Sequence, residues 1–153
     1  RFYGNNLGLL GGRDGFELAD ASFPEKIVDK YSSWTPVKEG HQAMLKDGEF
    51  KEKTFINRGP LVFTKKLIEK VGYLDEAYFP QFCDDMDYAA RCKFKYGLKN
   101  IVLQADIESR LEWGTTRKKD TSLYKLTHGK HYRKNWSLFA ERWTKDILNE
   151  NIT

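Results

Sequence analysis

Short apolar runs separated by polar stretches divide the chain into predicted strands and helices. A run at residues 7–10 is followed by a pair of glycines and a polar turn, which indicates a buried strand that leaves its sheet. A second run at residues 55–63 predicts a strand broken near Gly59 and Pro60. A third strand is expected at residues 98–103.

Two helices are predicted between the second and third strands. Thr64 suits the N-cap of a helix at residues 65–71, and Gly72 suits its end. The following helix starts at Asp84 with carboxylates in its first turn, where they complement the helix dipole, and Gly97 lies just past its end. The order strand, helix, loop, helix and strand predicts an α/β fold.

The remaining segments complete a single predicted domain over residues 1–153. Residues 20–54 show no sustained hydrophobic period and predict a long loop region. Residues 136–149 carry apolar side chains at helical spacing, which predicts an amphipathic C-terminal helix packed on the body of the domain.

Composition narrows the class of protein without identifying a function. The 153 residues are 40% hydrophobic and 31% charged, as expected for one soluble globular domain. No apolar run approaches the roughly 20 residues of a spanning helix, so no membrane span is expected. The net charge of +4 is too small to indicate nucleic acid as a partner. Cys83 and Cys92 lack metal-ligand spacing and are expected to be reduced packing residues.

The candidate chemistry is concentrated in an acidic cluster. Asp84, Asp85 and Asp87 place three carboxylates within four residues at the predicted helix start. Helix capping and the dipole explain one or two such acids without any function. Tyr78 and Phe79 precede the cluster, and acids beside aromatic side chains in a cleft suggest carbohydrate chemistry.

This region resembles the family 2 glycosyltransferases. The family carries G-x-x-D-E-x-aromatic-F, then an E-D-x-D segment with a later arginine, then a helix ended by glycine and a strand. The present chain reads GYLDEAYF at residues 72–79 and DDMD at residues 84–87, followed by Arg91 and Gly97. Order and spacing match over residues 55–103. The segment at residues 7–18 is similar to a strand that follows the family's nucleotide-sugar half.

The resemblance implies an α/β fold of the GT-A type, with a mixed sheet and flanking helices. The chain would represent mainly the acceptor-binding half, incomplete at its N-terminus. In the family the second acid of the E-D pair is the general base, and this position is Asp85. The residues expected to line the substrate site are Asp84, Asp87, Tyr78, Phe79, Trp113, Arg117, Lys130 and Arg133.

The implied reaction is inverting transfer of a sugar from a nucleotide-sugar donor to a glycan or another hydroxyl acceptor. A divalent metal, Mn²⁺ or Mg²⁺, is expected on a D-x-D motif, with most ligands outside this chain in the upstream part of the same polypeptide. Localisation is expected to be cytoplasmic, with membrane association through other parts of the protein. The chain departs from the family at Asp84, where glutamate is usual, and in residues 108–116, which lack the histidine of many members.

Other interpretations of the same residues remain. The basic stretch from Arg117 to Lys134 suits either a phosphate-bearing ligand or a solvated basic face. The domain could be a carbohydrate-binding or interaction module without turnover. The acid cluster could also serve a nuclease or phosphatase that uses two metal ions.

Overall fold

The computed structural model describes residues 4–11, 15–16, 49–56, 61–80, 82–103 and 130–150. These residues form a mixed α/β structure. Its strands are β1 (Leu7–Gly11), β2 (Gly15–Phe16), β3 (Phe50–Glu52), β4 (Phe55–Ile56), β5 (Leu61–Val62) and β6 (Lys99–Leu103). Its helices are α1 (Lys65–Val71), α2 (Asp84–Ala90) and α3 (Lys130–Glu150).

The main sheet has four strands in the order β3-β6-β1-β5. Strand β1 runs parallel to β6 and antiparallel to β5, while β3 runs antiparallel to β6. Strands β2 and β4 form a separate two-stranded antiparallel sheet. The predicted α/β class, with a mixed sheet and flanking helices, is therefore confirmed.

A buried asparagine joins the sheet to the helix that carries the acids. The backbone N–H of Leu9 donates to Oδ1 of Asn100 at 2.9 Å. Nδ2 of Asn100 donates to the carbonyl oxygens of Thr54 at 3.0 Å and Ala89 at 2.9 Å. A Cβ at Gly8 would lie 2.6 Å from the same Oδ1, so this close approach requires glycine. Asn100 thereby fixes α2 against β1.

The two helices predicted on either side of residues 73–82, the aromatic loop, begin where the sequence indicates. Thr64 caps α1 by accepting the N–H of Leu67 at 3.1 Å, and Gly72 ends it with a φ of 90°. Helix α2 begins at Asp84 and continues as a π-helical turn, Arg91–Lys95. Gly97 follows with a φ of 62°, in the left-handed region that favours glycine.

Two segments differ from the predicted bounds. The C-terminal helix begins at Lys130 rather than at residue 136, and its buried side chains include Trp136, Phe139 and Ile147. Its amphipathic packing on the core is as predicted. Strand β3 lies within the predicted loop region 20–54, because its backbone pairs with β6 although its side chains are exposed.

The core is formed by apolar side chains from both sheets and all three helices. Leu9, Phe55, Tyr88 and Phe139 are fully buried at its centre. Cys83 and Cys92 are buried free thiols, as predicted, and burial raises the pKa of Cys92 to about 12. No helix in the described ranges has the length and apolar character needed to cross a membrane.

Candidate functional site

The three acids at the start of α2 occupy two different environments. Asp84 and Asp85 are partly exposed, whereas Asp87 has no exposed surface. Oδ1 of Asp85 accepts the backbone N–H of Met86 at 2.9 Å, an interaction that orients the carboxylate. The surface of this site therefore carries Asp84 and Asp85.

Asp87 is enclosed by donors from three parts of the chain. Its Oδ1 accepts the O–H of Tyr78 at 3.1 Å and Nε1–H of Trp143 at 2.9 Å. Its Oδ2 accepts Nε–H of Arg91 at 2.9 Å, the ion pair expected from their spacing. Arg142 lies 3.4 Å from Oδ1. The prediction that Asp87 lines the substrate site is corrected here, because α3 and Tyr78 cover a carboxylate one turn into the helix.

Tyr78 and Arg91 extend this network into the aromatic loop. Burial, together with the charge of Asp87, raises the pKa of Tyr78 strongly, so its hydroxyl remains a neutral donor. Arg91 also donates to the carbonyl oxygens of Val71 at 3.1 Å and Tyr73 at 2.8 Å. A single guanidinium thus joins the end of α1, the start of the loop and α2.

Helix α3 holds the loop from its other side. Nζ of Lys134 donates to the carbonyl oxygen of Ala77 at 3.1 Å. Nδ2 of Asn135 donates to the carbonyl oxygens of Tyr78 at 2.5 Å and Phe82 at 3.4 Å. Because three carbonyl groups of the loop are bonded to side chains of one helix, the loop is a fixed support.

The backbone immediately before the acids is strained. Phe82 and Cys83 adopt φ values of 78° and 66°, in a region that side chains with a Cβ rarely occupy. Such conformations cost on the order of 1 kcal/mol each and concentrate at functional sites. Here they turn the chain so that Asp84 starts α2 directly behind the aromatic loop.

A groove of about 410 Å³ runs along the loop and reaches the first acid of α2. Phe79, 71% exposed, is the most open aromatic side chain on it. Asp84 lines the groove and Asp85 follows it in the chain. The complete lining is Leu74, Asp75, Glu76, Tyr78, Phe79, Pro80 and Asp84.

The structure brings together part of the predicted site. Tyr78, Phe79 and Asp84 line the same groove. Arg133 is exposed on α3, and Lys130 is the first residue of that helix. Trp113 and Arg117 lie outside the described residues.

Sequence reasoning missed four residues that shape the site. Asp75 and Glu76 line the groove, although they were already visible as the D-E of the matched motif. Arg142 and Asn135 lie on α3 and donate hydrogen bonds to the loop. The helical period in the sequence identified only the apolar side chains of this helix. Arg142 pairs with Oδ2 of Asp75 at 2.6 Å, and this contact depends on how α3 packs.

The acid cluster does not fit a metal ion. Asp85 and Asp87 have D-x-D spacing, but both oxygens of Asp87 already accept hydrogen bonds. Across the ranges that the structure describes, no group of three or more acidic, histidine or cysteine side chains could hold a metal. The geometry therefore gives no support to a two-metal nuclease or phosphatase at this cluster.

Comparisons of the chain with models of protein families, with curated proteins and with solved structures found no match. The fold and site define a mixed α/β protein with a groove that exposes Phe79 and carries the carboxylate of Asp84 in its wall.

Proposed function

We propose that this chain is the acceptor-side half of an inverting glycosyltransferase of the GT-A type, with Asp85 as its general base. The observation that carries the proposal is the partly exposed carboxylate of Asp84 in the wall of a groove that also exposes Phe79, with the partly exposed Asp85 following it in the chain. This arrangement suits a sugar, which presents both C–H faces and hydroxyl groups. The motif resemblance over residues 72–91 supports the same class.

The proposed step is a single displacement. The oxygen of the acceptor hydroxyl attacks the anomeric carbon of the donor, and the bond from that carbon to the nucleoside diphosphate breaks. The proton of the hydroxyl passes to the carboxylate of Asp85, while the diphosphate leaves with the bonding electrons. Attack from the face opposite the leaving group inverts the anomeric configuration.

Each acid of α2 has a separate role in this proposal. Asp85 takes the proton, and its hydrogen bond from the N–H of Met86 orients its carboxylate. Asp84, in the wall of the groove, accepts a hydrogen bond from the acceptor and orients it. Asp87 holds α2 and the loop in place from the core.

The donor and its divalent metal belong to the upstream part of the polypeptide in this proposal. In the part of the chain that the structure describes, the acids at the start of α2 do not form a group that could hold that metal. We expect calorimetry of the 153-residue chain to show acceptor glycans binding, and nucleotide sugars with Mn²⁺ or Mg²⁺ hardly binding. Tight donor binding by this chain alone would contradict the division into halves.

The decisive experiment compares Asp85→Asn with Asp84→Asn in a polypeptide that includes the nucleotide-sugar half. We expect Asp85→Asn to lower kcat about 10²-fold or more, since a positioned base contributes that much or more. Asp84→Asn should mainly raise KM for the acceptor. Unchanged turnover of a folded Asp85→Asn enzyme would remove Asp85 from the mechanism.

A carbohydrate-binding module without turnover is the second candidate. Exposure of Phe79 beside the groove favours it, because stacking on an aromatic ring needs no proton transfer. The same pair of variants separates the two functions. A binding module would retain glycan affinity in Asp85→Asn and show no transfer in any variant.

A further inference from the structure

We propose that a second cavity, at the opposite end of α2 from the acids, binds a phosphomonoester through Lys66 and Lys70. The cavity lies between α1, the residues that lead into β1 and the residue that precedes β6. This inference goes beyond the proposed function and does not depend on it, because the cavity and the groove beside Phe79 share no lining residue.

The course of α2 separates the cavity from the acids. Asp84 is the first residue of α2, whereas Leu98, which lines the cavity, follows the π-helical turn that continues this helix. The two helical segments between them have 7 and 5 residues, which span roughly 15–20 Å at about 1.5 Å per residue. A small ligand in the cavity is therefore remote from Asp84 and Asp85.

The first support is a pair of lysines in the lining. Lys66 and Lys70 lie one turn apart on α1, and both line the cavity. Neither has an ion-pair partner in the described part of the chain, whereas Lys65 on the same helix pairs with Glu69 at 3.8 Å. Like charges four residues apart destabilise a helix, so an anion between these two ammonium groups would relieve their repulsion.

The carboxylates close to the cavity in the chain do not reverse its charge. Glu69 pairs with Lys65, and Glu52 pairs with Lys99, the residue after Leu98, at 2.9 Å. Neither glutamate lines the cavity. Among the described residues, the charged groups in the lining are therefore the two ammonium groups of α1, which favour an anion.

The second support is the size and apolar character of the cavity. Its volume of about 330 Å³ lies near the lower end of the range for small-molecule sites, roughly 300–1,000 Å³. Leu67 and Leu98 line it as buried side chains, Leu7 as a partly buried one, and Asn5 adds an amide donor. The leucines can cover an apolar substituent that a free inorganic ion lacks.

These two features together indicate the class of ligand. Two positive charges match a dianion, and a phosphomonoester carries a charge of about −1.5 to −2 at neutral pH with oxygens that accept hydrogen bonds from ammonium groups. Its organic group would lie against the leucines. A carboxylate, with a single charge, matches only one of the two lysines.

The test is calorimetric titration of the 153-residue chain with phenyl phosphate, inorganic phosphate and benzyl alcohol. Inorganic phosphate lacks the ring, and benzyl alcohol lacks the charge. We expect phenyl phosphate to bind at least about fivefold more tightly than inorganic phosphate and at least about tenfold more tightly than benzyl alcohol. Its affinity should fall as the salt concentration rises, because the lysines are exposed and screened.

Variants of α1 locate the binding. Lys66→Gln and Lys70→Gln should each weaken phenyl phosphate about three- to fivefold, as when one exposed ion pair is lost. Lys65→Gln is the matched control, because it makes the same change on the same helix at a residue that does not line the cavity. All three lysines are exposed, so the variants should fold, and circular dichroism checks this.

Sedimentation with vesicles distinguishes two sources of the phosphate. Lysine-dependent binding to vesicles of phosphatidylcholine and phosphatidic acid, with none to phosphatidylcholine alone, would identify the ester as a lipid headgroup. Binding of phenyl phosphate without binding to either vesicle would identify a soluble ester.

The inference is overturned if phenyl phosphate does not bind, if benzyl alcohol binds as tightly, or if Lys65→Gln weakens binding as much as Lys66→Gln and Lys70→Gln do. Equal affinity for inorganic phosphate would also overturn it, since the leucines would then contribute nothing. Activity of the proposed transferase has no bearing on these outcomes, so the two proposals can fail separately.

Discussion

Aspartate side chains lie on both sides of the first turn of α2, one side facing the core and the other facing solvent. On the core side, Asp87 accepts hydrogen bonds from Tyr78, Arg91 and Trp143 and has no exposed surface. On the solvent side, Asp84 and Asp85 are partly exposed, and Asp84 lines the groove. The comparison teaches that an acidic run can divide into one carboxylate that organises the fold and two that stay at the surface.

This division has a physical basis. A buried carboxylate is stable only when charged and neutral donors replace the water it has lost. Asp87 obtains these donors from the aromatic loop, from its own helix and from α3. Asp84 and Asp85 are partly exposed and keep contact with water, so they need no such enclosure.

The largest expected effect is that of Asp87→Asn on stability. The substitution removes the charge that pairs with Arg91 and Arg142 and turns an N–H group toward existing donors. We expect the free energy of unfolding to fall by about 3–5 kcal/mol, as when one partner of a buried ion pair is lost. Urea unfolding followed by tryptophan fluorescence measures this change.

Asp84→Asn is the matched control for that experiment. It makes the same chemical change on the accessible side of the same helix, so the expected effect is within about 0.5 kcal/mol. Equal destabilisation by Asp87→Asn and Asp84→Asn would show that the buried and the accessible aspartate contribute equally to the free energy of unfolding.

An intermediate effect is expected for Tyr78→Phe, which deletes one donor to Asp87 and keeps the ring. The expected loss is about 1–2 kcal/mol, because Arg91 and Trp143 still engage the carboxylate. Combined with Asp87→Asn it should be less than additive, since both changes remove the same contact. Full additivity in a double-mutant cycle would show that Tyr78 and Asp87 stabilise the fold independently of each other.

The smallest of these effects on stability is that of the ion pair between Asp75 and Arg142, and it depends on pH. The hydrogen bond from the N–H of Ala77 is the main cause that lowers the pKa of Asp75 below its usual range. The neighbouring Arg142 lowers this pKa further. The contribution of Asp75 to stability is therefore complete above the unfolded pKa, about 3.9, and is lost as the pH falls through the lower folded value.

The measurement is urea unfolding of the wild type and Asp75→Asn between pH 7 and pH 2. Because this pair is partly exposed, the expected difference at neutral pH is about 0.5–1 kcal/mol, shrinking below about pH 4. A difference that stays constant down to pH 2 would show that the charge of Asp75 does not stabilise the fold.

Much of the fold was predictable because it depends on local rules. Thr64 and Gly72 bound α1 through capping geometry, and the acids mark the first turn of α2 through the dipole. The apolar period predicted the packing of α3, but not its start at Lys130. Strand β3 escaped prediction because it is exposed and held by backbone pairing.

The sequence by itself determined the α/β class, the bounds of α1, the start of α2 and the position of the acids close to aromatic residues in the chain. Only the tertiary structure decided that Asp87 is enclosed while Asp84 faces a groove, and that Arg142 and Asn135 fix the loop. The reason is that helical and capping preferences act between neighbouring residues. Enclosure of a charge instead requires donors from distant segments, whose meeting depends on how α3 packs on the core.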